Sequence, residues 1–140
     1  MTPSPTQRPG MHLTPQQERA LSQERHLSVT ANAGSGKTRV LVERYLAIVL
    51  SGSASVREIV ALTYTEKAAS ELRRKIAQAV TETLLQSRDP RLTARLESVR
   101  DELASAMIGT IHAFCARILR EHPVEADVDA AFGVIDGLDQ

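Results

Sequence analysis

Apolar positions along this chain change period several times, and each change marks an element boundary. Thr14-Pro15-Gln16-Gln17 opens the first ordered stretch. A hydroxyl able to accept from free helix N–H groups, a proline where no N–H is needed and a glutamine at the third helical position predict a short helix from Thr14 to about Glu24. Leu27-Ser28-Val29-Thr30-Ala31 then alternates apolar and polar or β-branched residues and predicts a strand. After a glycine-rich turn, Val40, Leu41, Tyr45, Ile48 and Val49 recur at helical spacing until Ser51-Gly52-Ser53. Ile59-Val60-Ala61-Leu62 is a continuous apolar run of the kind a parallel strand buried on both faces requires. From about Thr65 to Leu85 one helical face collects Ala68, Ala69, Leu72, Ile76, Ala79, Val80 and Thr83. Asp89-Pro90 restarts the chain, and Leu92, Leu96, Val99, Leu103 and Met107 predict another helix. A short strand over Met107-Ile108-Gly109 precedes Thr110, which caps a helix through Leu119 that His122-Pro123 ends. A last apolar run, Phe132 to Ile135, is closed by Asp136-Gly137. Residues 1–12 hold three prolines, a glycine and, after Met1, only Met11 as a large apolar side chain, and predict a disordered arm. Alternation of strand and helix predicts an α/β domain with a mainly parallel sheet.

The 140 residues suffice for one domain with its own core. A single cysteine, Cys115, excludes an internal disulfide and reads as a packing residue beside Phe114, and the polar, proline-rich N-terminus has no apolar signal core. The apolar-leaning stretch Val40–Leu50 is interrupted by Glu43 and Arg44 and is too short to cross a bilayer. A soluble, cytoplasmic protein with no membrane partner is expected. Charge is balanced at 17 Lys and Arg against 17 Asp and Glu, but unevenly placed. Residues 1–120 carry all 17 basic groups against 11 acidic ones, a net of +6, compatible with a polyanionic partner and equally with an ordinary solvated surface.

The strongest chemistry lies at Ala31-Asn32-Ala33-Gly34-Ser35-Gly36-Lys37-Thr38. Apart from alanine in place of the first glycine, it matches G-x-x-x-x-G-K-[ST] between an expected strand and an expected helix. Gly34 and Gly36 let the backbone turn its N–H groups toward phosphate oxygens, and the helix start adds partial positive charge. Lys37 would reach the β- and γ-phosphates and the Thr38 hydroxyl would ligate Mg²⁺. These features point to ATP with Mg²⁺ as cofactors, Lys37 and Thr38 as the catalytic pair, and a RecA-like P-loop core.

Beyond this loop the chain resembles the N-terminal motor domain of superfamily 1 helicases of the UvrD/Rep type. Leu13-Thr14-Pro15-Gln16-Gln17 with Ala20 is similar to that family's Q motif, and residues 31–38 to its motif I. Ala61 to Ala69 with Glu71-Leu72-Arg73 is similar to motif Ia, and Gly109-Thr110-Ile111-His112-Ala113-Phe114-Cys115 with Arg117 to Arg120 to motif Ib. Thr-Glu-Lys-Ala-Ala and Ile-His-Ala-Phe-Cys most resemble the nuclease-linked AddA/RecB branch that processes DNA ends. The resemblance covers residues 13–140, read as a partial helicase ATP-binding domain.

It implies that Gln17 reads the adenine edge, although helix capping explains the same residue. It also implies that Tyr64 stacks on a base of single-stranded DNA rather than packing in the core, and that the hydroxyls of Thr63 and Thr65 contact phosphate. Thr110 and His112, at a helix start, are implied in DNA contact, with Thr110 equally suited to capping. For Lys67, Arg73, Arg74 and Lys75, screening of the DNA backbone and a solvated face stand side by side. The implied activity is ATP-dependent 3′–5′ unwinding of DNA in repair and recombination, with single-stranded and duplex DNA as partners and a second helicase–nuclease subunit.

ATP hydrolysis further needs a carboxylate on Mg²⁺, a residue that positions water and usually an arginine finger. Asp101-Glu102 falls inside a helical pattern, and Asp136 is the one generic candidate for the metal carboxylate. The chain is therefore expected to be an incomplete motor, the N-terminal part of a longer helicase, unable to hydrolyse ATP or unwind alone. The alternatives are a self-contained small P-loop NTPase using Asp136 and a non-catalytic module that binds single-stranded DNA or a partner.

Overall fold

A computed structural model describes residues 12–134. The order of elements is helix α1 (Pro15–Arg19), α2 (Lys37–Ser51), strand β1 (Val60–Thr63), α3 (Glu66–Gln86), α4 (Pro90–Glu102), β2 (Met107–Thr110), α5 (Ile111–Glu121) and α6 (Pro123–Ala126). Single 3₁₀ turns at Val56–Glu58 and Leu103–Ser105 lead into the two strands. The strands pair in parallel, with Val60 opposite Met107, Ala61 opposite Ile108, Leu62 opposite Gly109 and Thr63 opposite Thr110. The architecture is α/β with a two-stranded parallel sheet among the described residues, consistent with part of a RecA-like helicase domain.

The core forms where the apolar faces of three helices meet one side of this ladder. Tyr45 and Leu46 of α2, Ile76 and Val80 of α3, Leu96 of α4 and Ile108 of β2 are all almost inaccessible to water. The starts of α3, α4 and α5 are also specified locally. Thr65 accepts from Ala68 N at 3.1 Å, Asp89 accepts from Arg91 N at 2.9 Å with Pro90 following, and Thr110 accepts from Ala113 N at 3.2 Å. At the other end of α2, Arg95 Nε donates to Val49 O at 2.8 Å, supplying a partner for one of the helix's last carbonyls.

Several expectations need correction. The segment 27–31 forms no strand, and Val29 is more than half exposed. An alternating segment becomes a strand only by pairing, and both strands of this sheet pair with each other. The first helix ends at Arg19 rather than Glu24, because Ala20 turns in to a buried position where its carbonyl accepts from Arg44 Nη1 at 2.6 Å. Met107 belongs to β2, since the helical run of α4 ends at Glu102. Strand β1 is not buried on both faces, as Val60 and Leu62 remain exposed. Cys115 is exposed too, because α5 buries only Ala116. Asp101 and Glu102 do lie on α4, paired locally with Arg100 and Ser98. Phe132, Gly133 and Val134 form no strand, and Asp136 lies outside the described residues, as do residues 1–11 of the expected arm. No helix of the described residues is long and apolar enough to cross a membrane.

The core makes two stability predictions. Ile76→Ala removes a fully buried side chain and should cost about 2–5 kcal/mol in urea unfolding. The Tyr45 hydroxyl is buried without a hydrogen-bond partner, and burial, with the Glu102 carboxylate adding to it, raises its pKa from 10.0 to about 12. Since the folded chain holds this proton more tightly than the unfolded one, its contribution is intact below pH 10 and is lost as pH rises toward 12. Tyr45→Phe should leave neutral-pH stability unchanged or slightly higher and should flatten the decline above pH 10, as read by unfolding across that range.

Candidate nucleotide and nucleic-acid site

Residues 31–36 lead into α2 through two left-handed glycines, Gly34 at φ +77° and Gly36 at φ +84°. Gly36 is the N-cap of α2, and a glycine has no side chain with which to satisfy the helix's free N–H groups. By contrast α1, α3, α4 and α5 all begin with a side chain that accepts from their first turn. The first turn of α2 also lacks an acidic residue, while Lys37 stands at its first position and Thr38, exposed, at its second. The result is a helix start with donors and positive charge but no acceptor of its own, the donor set that phosphate oxygens fit.

The loop is braced from two sides. Lys37 Nζ donates to Ala31 O and Asn32 O, both at 2.8 Å, so the ammonium folds back across the loop's entry. Ser35 closes the turn, its N–H and hydroxyl both donating to Asn32 O. Gln17 reaches the loop from α1. Its Oε1 accepts from Thr14 N at 2.9 Å and its Nε2 donates to Ser35 O at 3.2 Å. Capping and loop contact are thus made by the two ends of one amide. Ala33, between these anchors, is exposed. One surface cleft lies between α2 and α3 and another around Gly52 and Arg95, and the case for this loop rests on its donors.

The second group of predicted residues gathers at the carboxyl end of the sheet, where open parallel sheets place their ligands. Tyr64 follows β1 and is 99% exposed, which removes it from the core. Thr63 Oγ1 donates to Thr65 O at 2.9 Å and approaches Gly109 O at 3.5 Å. Thr65 caps α3, and Thr110 is buried, accepting from Ala113 N and donating to Glu66 Oε1 at 2.8 Å. His112 is exposed on the first turn of α5. The hydroxyl protons of Thr63 and Thr110 are therefore engaged within the protein, and both residues shape the surface from below. Arg73 also turns inward, donating to Ile108 O at 2.7 Å. Lys75 pairs with Glu71 at 2.7 Å, holding that carboxyl below its usual pKa.

Glu66 is not among the residues singled out from the sequence, where it reads as surface charge. The structure sets Gln17 against the loop at Ser35 and Thr63, Tyr64, Thr65, Thr110 and His112 at the ends of β1 and β2.

Gly36 provides a direct test of the loop's geometry. A Cβ there would meet Gln17 Nε2 at 3.1 Å on a backbone of positive φ. Gly36→Ala should destabilise the chain by about 1–2 kcal/mol, measured by urea unfolding, and should weaken Mg·ATP binding.

The chain is similar in sequence to known proteins. The chain is 36% identical over 121 residues to a protein of Pediococcus pentosaceus named as a subunit of an ATP-dependent helicase/nuclease, covering 86% of this chain and 10% of that protein. Proteins of the same name from Alkaliphilus metalliredigens and Latilactobacillus sakei are 39% identical over 111 residues and 34% over 123, covering 79% and 87% of this chain. The chain spans 9% and 14% of those two relatives. Residues 13–140 match the family model described as UvrD/REP helicase N-terminal domain. The match spans α1 to α6 and includes the loop before α2, and the chain belongs to the UvrD/REP helicase N-terminal domain family.

Proposed function

We propose that this chain is the ATP-binding, DNA-engaging portion of an ATP-dependent 3′–5′ DNA helicase that works with a nuclease in DNA repair and recombination. The single observation that carries the reading is the start of α2, where a glycine N-cap leaves the first N–H groups to an anion and Lys37 lies over the loop. On this reading Lys37 leaves the carbonyls of Ala31 and Asn32 for the β- and γ-phosphate oxygens, and the N–H groups of residues 33–38 enclose the phosphates. The Thr38 hydroxyl would hold Mg²⁺, which would offset the charge of the phosphate oxygens. Gln17 meets the adenine edge while its amide steadies Ser35, linking base recognition to loop shape.

DNA is placed across the carboxyl ends of β1 and β2. Tyr64, fully exposed, supplies a stacking face, and the helix starts at Glu66 and Ile111, with Thr65 and His112 beside them, supply phosphate contacts. The site is assigned to a cytoplasmic protein whose partner, by analogy to the name of its relatives, is a second helicase–nuclease subunit. Those relatives are several times longer, and the carboxylate and arginine that turnover needs are assigned to segments not among the motifs present. The 140-residue chain is therefore proposed to bind nucleotide without turning it over.

Calorimetric titration of Mg·ATP into the wild type should show binding that falls tenfold or more in Lys37→Ala, by the loss of charge-assisted bonds worth about 1.5–3 kcal/mol. Tyr64→Ala should weaken single-stranded DNA by ~1–3 kcal/mol and leave Mg·ATP affinity unchanged. Equal nucleotide affinity in wild type and Lys37→Ala would contradict the reading, and DNA-independent turnover would favour a self-contained NTPase.

A further inference from the structure

Helices α3 and α5 begin at the ends of neighbouring strands, and one side-chain bond ties their first turns together. Thr110 Oγ1 donates to Glu66 Oε1 at 2.8 Å across 44 residues of sequence. The same oxygen accepts from Ala113 N, so with both roles taken the hydroxyl has a single orientation. Thr110 is 7% exposed, whereas Glu66 lies at the surface directly after Tyr64 and Thr65. The parallel register sets Thr63 opposite Thr110, and Thr63 Oγ1 reaches both Thr65 O and Gly109 O. The turn that presents Tyr64 is thus braced against the start of α5 from two directions.

Glu66 has a second effect of opposite sign. A carboxylate in the first turn of α3, held against the first turn of α5, complements the positive ends of both helices. That same charge stands where a polyanion would approach, and by itself it opposes binding. A surface built only for attraction would not keep an acid there, so its acceptor role and its charge are separable contributions.

We propose that Glu66 is a positioning residue for single-stranded DNA: through Thr110 it fixes the start of α5 relative to Tyr64, so that a stacked base and the adjoining phosphate meet both at once. The inference rests on the DNA reading proposed above. Glu66 itself makes no favourable contact with the nucleic acid.

The test is fluorescence-anisotropy titration of the 140-residue chain with a labelled oligo-dT, with far-UV circular dichroism and Mg·ATP titration on every variant. Glu66→Gln keeps an oxygen acceptor for Thr110 and removes the charge, so it should bind DNA as tightly as the wild type or more tightly. Glu66→Ala removes the same charge and the acceptor, and should bind about threefold to tenfold more weakly. Thr110→Val, which keeps the charge, should bind no more tightly than Glu66→Ala, the double variant should be no weaker than Thr110→Val, and in a Tyr64→Ala background the loss should disappear. Mg·ATP affinity should not move in any of them. The proposal is overturned if Glu66→Ala binds DNA as tightly as the wild type or tighter, or if Glu66→Gln loses as much as Glu66→Ala. Failure of the wild type to bind DNA while still binding Mg·ATP would instead overturn the DNA reading itself.

Discussion

Four pairs of residues in parallel register, Val60 with Met107 through Thr63 with Thr110, determine where the rest of this chain can lie. Parallel strands cannot be joined by a tight turn, so α3 and α4 must cross between them. That crossing brings Ile76, Val80 and Leu96 onto one side of the ladder and creates the core. It also brings both strands to an end at the same level. Glu66, two residues after Tyr64, meets Thr110 for that reason alone, although 44 residues of sequence separate the pair.

The phosphate loop depends on a different constraint, the absence of a side chain. Among the described residues four helices start on a threonine or aspartate whose side chain accepts from one first-turn N–H, and α2 starts on a left-handed glycine that cannot. On the proposed reading, the donors at this start, with Lys37 beside them, are what nucleotide binding uses. Lys37 and Gln17 meanwhile hold the loop by bonding to its carbonyls, at Ala31, Asn32 and Ser35. Within the loop the Ser35 N–H is itself turned to Asn32 O. The loop is therefore shaped mainly by contacts to its carbonyls.

Much of this is legible in the sequence wherever the deciding physics is local. Caps at Thr14, Thr65, Asp89 and Thr110, the glycine stop at Gly52 and the apolar face of α3 depend on residues within a turn or two of each other. The loop at 31–38 is legible for the same reason. Pairing is not. Residues 27–31 have the composition of a strand and no partner strand, and Val60 and Leu62 have the composition of a doubly buried strand with one face left open. Side-chain bonds across long separations are likewise invisible: nothing in the local pattern of Glu66 or Arg73 announces that they reach Thr110 and Ile108 O. In sequence both look like surface charge, because their partners are set by the β1–β2 register.

On the proposed reading, one short chain carries two separate ligand surfaces, a nucleotide loop at the start of α2 and a nucleic-acid surface at the carboxyl ends of β1 and β2. Amide hydrogen exchange of the wild type, free, with Mg·ATP and with single-stranded DNA, locates both in one experiment. Mg·ATP should slow exchange across residues 33–38 and at Gln17, while DNA should slow it across residues 64–68 and 110–113. Protection of residues 64–68 by Mg·ATP with none at 33–38, or DNA protection confined to the phosphate loop, would contradict this placement.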